Sequence, residues 1–117
     1  MEEKTVPLQL TYMDELLDAI DSRLFSQEVP TVLRIRAGML AEETFRAAEA
    51  AQRTGTGVIR CVFPAPLTVV LQYKEGSSPL EPELSAVRQL NGHPCTYGVE
   101  ASFQRGTCTL EIGKKRA

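Results

Sequence analysis

The 117-residue chain predicts a two-layer α/β (α+β) sandwich, a mostly antiparallel or mixed sheet covered by one layer of three helices. Three observations lead there. The predicted elements run strand, helix, helix, two strands, helix, two strands. The later strands alternate, with Thr68, Gln72, Thr96, Glu100, Ser102, Thr107, Thr109 and Glu111 opposite an apolar set, and a sheet with one wet face takes helices on the other face only. Apolar residues are 43% and charged residues 24%, a composition that folds as a soluble globule. The length suits a single domain over 1–117.

Thr5 to Leu10 places Val6, Leu8 and Leu10 on one side, as a half-buried strand does. Pro7 cannot donate to a ladder, which assigns this strand to an edge. Thr11 precedes Asp14 in a capping pattern, and Met13, Leu16, Leu17, Ile20 and Leu24 follow at helical spacing until about Ser26. Gln27 to Pro30 reads as loop. Thr31 opens a long helix that Thr-Gly-Thr-Gly stops near Arg53. On a wheel of about 100° per residue, Leu33, Ala37, Leu40, Ala47 and Ala51 form its apolar stripe. Val32, Met39 and Ala50 widen the stripe to one side, with Arg36 and Glu43 between the two groups. Val58 to Phe63 and Leu67 to Tyr73 form a hairpin across Pro-Ala-Pro, with Leu67, Val69, Leu71 and Tyr73 on one face. Lys74 to Ser78 is a Gly/Ser loop. Leu84, Val87 and Leu90 mark a third helix closed by Asn91 and Gly92. Tyr97 to Phe103 and Cys108 to Ile112 make a second hairpin around Gln-Arg-Gly. There are no internal repeats, heptads or low-complexity tracts.

Composition narrows the function. A net charge of −2 gives no basic stripe for nucleic acid, and the GKKRA terminus is too short to supply one. No apolar run approaches the ~20 residues of a membrane helix. The start MEEKTVPLQL lacks a basic segment followed by an apolar one, so a cytoplasmic location is expected. Cys61, Cys95 and Cys108 are odd in number and form no Cys-x-x-Cys pair, as reduced thiols would. His93, the only histidine, lies near Cys95 in a turn-like NGHPC stretch that reads as loop. No metal site is expected.

Glu43 raises the sharpest question. A carboxylate beside Met39, Ala47 and Ala50 on a core-facing arc is costly if dry and unpaired. It reaches water at the rim, pairs with Arg36, or faces a cavity that holds a polar ligand.

The element order resembles the histidine-kinase-like ATP-binding domains, most of all the bacterial anti-sigma-factor serine kinases. Their long helix carries E-A-x-x-N-A, and an Asp-x-Gly loop, a glycine-rich lid, a last helix and closing strands follow. Here EETFRAA and Leu71 to Gly76, LQYKEG, stand at the two motif positions. Leu84 to Leu90 matches the last helix and Thr96 to Ile112 the closing strands. The resemblance assigns the family's catalytic glutamate to Glu43 and its Mg²⁺-binding asparagine to Ala47, whose methyl group cannot coordinate. It puts the adenine-accepting aspartate on Lys74, two before Gly76, and an ammonium has no acceptor. The lid is shortened to Ser77, Ser78, Pro79, Leu80, Glu81, Pro82 and Glu83, a stretch that caps its own helix and repels a triphosphate.

Each lost contact removes about 1–3 kcal/mol if it behaves as a charged or buried hydrogen bond. The resemblance therefore implies a catalytically dead, anti-sigma-factor-like regulatory domain that binds neither ATP nor Mg²⁺. Its implied partner in transcription regulation is a sigma factor or a sigma-factor antagonist. Two alternatives stand beside it. One is a diverged but active serine kinase with Glu43 as base, and the other is an unrelated small α/β interaction module. Self-association through the edge of the last strand, which lacks a proline guard, gives a homodimer as a further expectation.

Overall fold

The computed structural model describes residues 3–52, 55–73, 97–104 and 106–115. Alternating segments become five strands: β1 (Glu3–Pro7), β2 (Val58–Ala65), β3 (Thr68–Tyr73), β4 (Tyr97–Gln104) and β5 (Thr107–Lys115). The 3.6-periodic segments become α1 (Met13–Ser26) and α2 (Thr31–Ala51). The strands form one sheet in the order β1-β2-β3-β5-β4, and every described pairing is antiparallel. Among the described residues this is an α+β arrangement of a five-stranded sheet and two helices. The expected third helix at Leu84–Leu90 and the loop at Lys74–Ser78 lie outside the described residues. No described helix is long and apolar enough to cross a membrane.

The first strand is shorter than its alternation suggests. It stops at Pro7, and Leu10 falls in a 3-10 turn over Leu10–Tyr12, 47% exposed. Thr11 lies inside that turn, so the expected cap does not form: Tyr12 occupies the N-cap of α1 without a side-chain bond. β2 continues through Pro64 and Ala65, because a register shift between Val62 and Ala65 inserts an extra residue and re-aims the strand end. The turn is then Pro66-Leu67. Leu67 adopts φ 63 and stands 41% exposed instead of extending the β3 face.

The last strand is not an edge. β5 lies between β3 and β4, so the outermost of the described strands are β1 and β4. A strand following a tight hairpin pairs with its predecessor on one side, and here β5 uses its other side for β3.

The core lies between the helices and the inner face of the sheet. β2 contributes Ile59, Cys61 and Phe63, β3 contributes Val69, Leu71 and Tyr73, and β5 contributes Cys108, Leu110 and Ile112. α1 lays Met13, Leu16, Ile20 and Leu24 against them. It packs on β1 and α2, while α2 crosses β4 and β5. On the wet face, Glu3, Arg60 and Gln72 make a polar ladder over three strands: Arg60 Nε donates to Glu3 Oε2 at 2.7 Å and Nη1 to Gln72 Oε1 at 3.1 Å.

α2 is rotated from the face its apolar residues suggest. The buried set is Arg36, Ala37, Leu40, Ala41, Thr44, Phe45 and Ala48. Val32, Met39, Ala50 and Ala51, expected on the stripe, are exposed. The buried arc is displaced by roughly 60°, away from Met39, on a 100° wheel. Phe45 causes the displacement. It is fully buried and is the largest such side chain described, so packing it outweighs packing Val32 and Met39.

The end of α2 is tied to the sheet by Gln52. Its Nε2 donates to the Leu8 carbonyl at 2.6 Å, and its Oε1 accepts from Gly57 N–H at 3.0 Å. A Cβ on Gly57 would stand 2.6 Å from Gln52 Oε1 and 3.2 Å from Leu8 Cδ1, so a side chain there would push the Gln52 amide off its present position.

Candidate functional site

The structure brings two of the four motif positions together. Glu43 and Ala47, one turn apart on α2, share a flank and are both half-buried. Lys74 and Gly76 lie outside the described residues, as do His93 and Cys95. Of the outcomes open to Glu43, the rim is where it stands, between buried Thr44 and Leu40 on one side and exposed Met39 on the other. Glu42, on the next face, pairs with Arg46 at 3.5 Å across one exposed turn, a contact worth little.

The Ala47 methyl offers nothing to a metal. Among the described residues no group of three or more His, Cys, Asp or Glu side chains comes together as a ligand set.

Two of the three thiols are described, and both are buried. Burial pushes Cys61 up to about 12 and Cys108 up to about 11, from an ordinary 9.0. The smaller rise at Cys108 follows from Thr44, whose hydroxyl lies 3.6 Å from Sγ and supports the thiolate. The same hydroxyl is 2.9 Å from the Leu40 carbonyl. Thiols this hard to ionise are poor nucleophiles, so they act here as core residues.

Sequence reasoning missed a cavity of about 630 Å³ where the α1–α2 loop meets the β2–β3 turn and the end of β5. Its apolar wall is Val29, Val32, Leu33, Leu67 and Ile112, and Arg36 stands in the lining. Neither Glu43 nor Ala47 reaches it. Three backbone departures shape it. α1 ends in a Schellman turn: Val29 N–H donates to Leu24 O at 3.1 Å and Glu28 N–H to Phe25 O at 3.0 Å, which forces Glu28 to φ 61. Leu67, at φ 63, is gripped from both sides. Its N–H donates to Gln27 Oε1 at 3.2 Å, and its carbonyl accepts from Ile112 N–H at 2.8 Å. Gly113, at φ 75, is the extra residue of a bulge between the Gly98–Lys114 and Val99–Ile112 pairs.

Glycine normally marks left-handed positions, and Glu28 and Leu67 carry no such mark. Gln27 to Pro30 thus reads only as a loop. Gly113 was the one available signal.

No family model matches the chain, and no curated protein is significantly similar to it.

Proposed function

We propose that the chain is a non-catalytic, anti-sigma-factor-like domain of the histidine-kinase-like fold, with three helices, that regulates transcription by binding a protein. The partner class is a sigma factor or its antagonist, and the domain uses neither ATP nor Mg²⁺. The observation that carries the reading is the outer face of α2. Val32, Ile35 and Met39 are 58%, 57% and 48% exposed at i, i+3 and i+7, beside the flank where Ala47 replaces a metal ligand. Large apolar side chains turned outward in a row mark an interaction surface more often than they mark a fold requirement. The path of α2 across the closing hairpin, β4 and β5, also supports the family reading, since that family's long helix covers the same sheet as its closing strands.

Two titrations test this on the full chain. Calorimetry with ATP and Mg²⁺ should give no binding heat. A sigma factor or antagonist from the same cell should bind the wild type, and Ile35→Glu should weaken it by roughly tenfold or more, as expected for a charge placed in an apolar interface. ATP turnover that Glu43→Ala abolishes would overturn the proposal in favour of an active kinase.

A further inference from the structure

We infer that the cavity between the α1–α2 loop, the β2–β3 turn and the end of β5 is a preformed site for a small uncharged apolar molecule, held by burial of its hydrocarbon body and not by any charge. At about 630 Å³ the space falls in the range of small-ligand pockets. The site lies apart from Ile35 and Met39, and the inference does not rest on the protein-binding reading of α2.

Three separate parts of the chain meet here, and hydrogen bonds tie each to the next. Gln27 Oε1, from the loop, accepts from Leu67 N–H at 3.2 Å. The Leu67 carbonyl, from the turn, accepts from Ile112 N–H at 2.8 Å. All three residues line the cavity. The loop wall is fixed in turn by α1, since the N–H groups of Gln27 and Val29 both donate to Leu24 O at 3.1 Å. Walls bonded to one another hold their spacing. An apolar hollow whose walls stay apart leaves its lining short of contact partners, and an occupant supplies them.

The same bonds decide the class of ligand. They occupy the N–H and C=O of Leu67 and the N–H of Ile112, while the N–H groups of Gln27, Glu28 and Val29 are spent on the end of α1. Two charged residues are in the lining. Glu28 is exposed to water, and Arg36 is 9% exposed and already engaged. Neither offers an unpaired buried charge to an occupant. The rest of the wall is aliphatic, from Val29, Val32, Leu33, Leu67 and Ile112. A charged ligand would give up its hydration for a wall that returns no bond. An uncharged hydrocarbon surface gains by leaving water, as small apolar molecules do when they fill dry protein cavities.

The probe is N-phenylnaphthylamine, an uncharged molecule whose fluorescence rises in apolar surroundings. Anilinonaphthalenesulfonate, the same ring skeleton with a sulfonate, is the charged control. Both are titrated into the full chain, and amide NMR shifts locate the site. The expected result is one saturable site for the uncharged probe, with shifts centred on Val29, Leu33, Leu67 and Ile112. It should bind roughly tenfold or more tighter than the sulfonate, which has a charge to desolvate. Leu67→Gly should weaken it by roughly tenfold through loss of one apolar wall. Leu67 is 41% exposed at φ 63, a conformation glycine adopts freely, so this variant keeps the fold. Val32→Glu, at a 58% exposed position in the first turn of α2 where an acid suits the helix dipole, should weaken it similarly by setting a carboxylate on the wall. Absence of saturable binding, equal or tighter binding of the sulfonate, undiminished binding by either variant, or shifts centred on Ile35 and Met39 would each overturn the inference. Ile35→Glu should leave the probe's affinity unchanged, so failure of this site is distinguishable from failure of the protein-binding reading.

Discussion

α1 and α2 lie side by side in the helical layer, yet they distribute their large side chains differently. α1 buries Met13, Leu16, Ile20 and Leu24, and of its large apolar residues only Phe25 is strongly exposed. α2 buries Ala37, Ala41, Thr44 and Ala48 around Leu40 and Phe45, and exposes Val32, Ile35 and Met39. Small inward residues let α2 approach the sheet closely, while its larger ones remain for something outside the core. α1 is thus an element shaped by folding alone. α2 satisfies a fold with one face and keeps a second face that folding does not require.

The comparison breaks most sharply at Phe45 and Met39. Phe45 is fully buried and Met39 is 48% exposed. Phe45→Ala should cost about 3–5 kcal/mol in urea unfolding, through lost transfer energy and the cavity left behind. Met39→Ala should change stability by no more than about 0.5 kcal/mol. The opposite ranking would mean that α2 is rotated back toward Met39, and the outer apolar row would no longer exist.

That ranking also shows why the sequence was legible in one helix and less so in the other. α1 announces its face because its large aliphatic residues recur at i, i+3 and i+4, so size and burial agree. In α2 size and burial disagree. A wheel weighted by side-chain size leans toward Val32 and Met39, while Phe45, a single residue, turns the helix the other way. The sheet was legible because alternation is binary: Val69, Leu71 and Tyr73 face inward as read. Strand order was less legible, since alternation does not say that β5 would sit between β3 and β4. Of the candidate site, Glu43 at the rim was one of three readings open from the sequence. The cavity left almost no trace there, because Glu28 and Leu67 hold positive φ without being glycine.

Buried thiols give a second, intermediate test of how α2 meets the sheet. Cys61 and Cys108 are protonated in both folded and unfolded chains below pH 9, so their contribution to stability is fully present there. Above pH 9 the unfolded chain loses its thiol protons first. The folded chain holds them until about 11 at Cys108 and about 12 at Cys61, so it binds more protons and stability falls as pH rises through that window. Urea midpoints measured from pH 8 upward should decline accordingly, and a Cys61→Ala, Cys108→Ala pair should flatten the decline. Thr44→Val removes the hydroxyl 3.6 Å from Cys108 Sγ and should move that thiol's titration upward, toward Cys61. No movement would mean that the inner face of α2 does not reach β5 through Thr44.

The smallest effect concerns Gly38, which interrupts α2 between its outer row and its buried arc. It is half-buried, and a Cβ built there meets nothing within 4 Å outside the helix's own nearby backbone. The helix therefore does not need a glycine for close packing. In an interior helical position glycine costs about 0.5–1 kcal/mol relative to alanine, because it has more freedom to lose on folding. Gly38→Ala should stabilise the chain by about that amount and raise the thermal midpoint by about 2–5 °C. α1 carries no comparable residue between Met13 and Ser26, so the same scan there should find no gain of this kind. If Gly38→Ala destabilises instead, a neighbour occupies the space beside residue 38. The outward side of α2 would then be packed within the folded chain rather than kept for a partner.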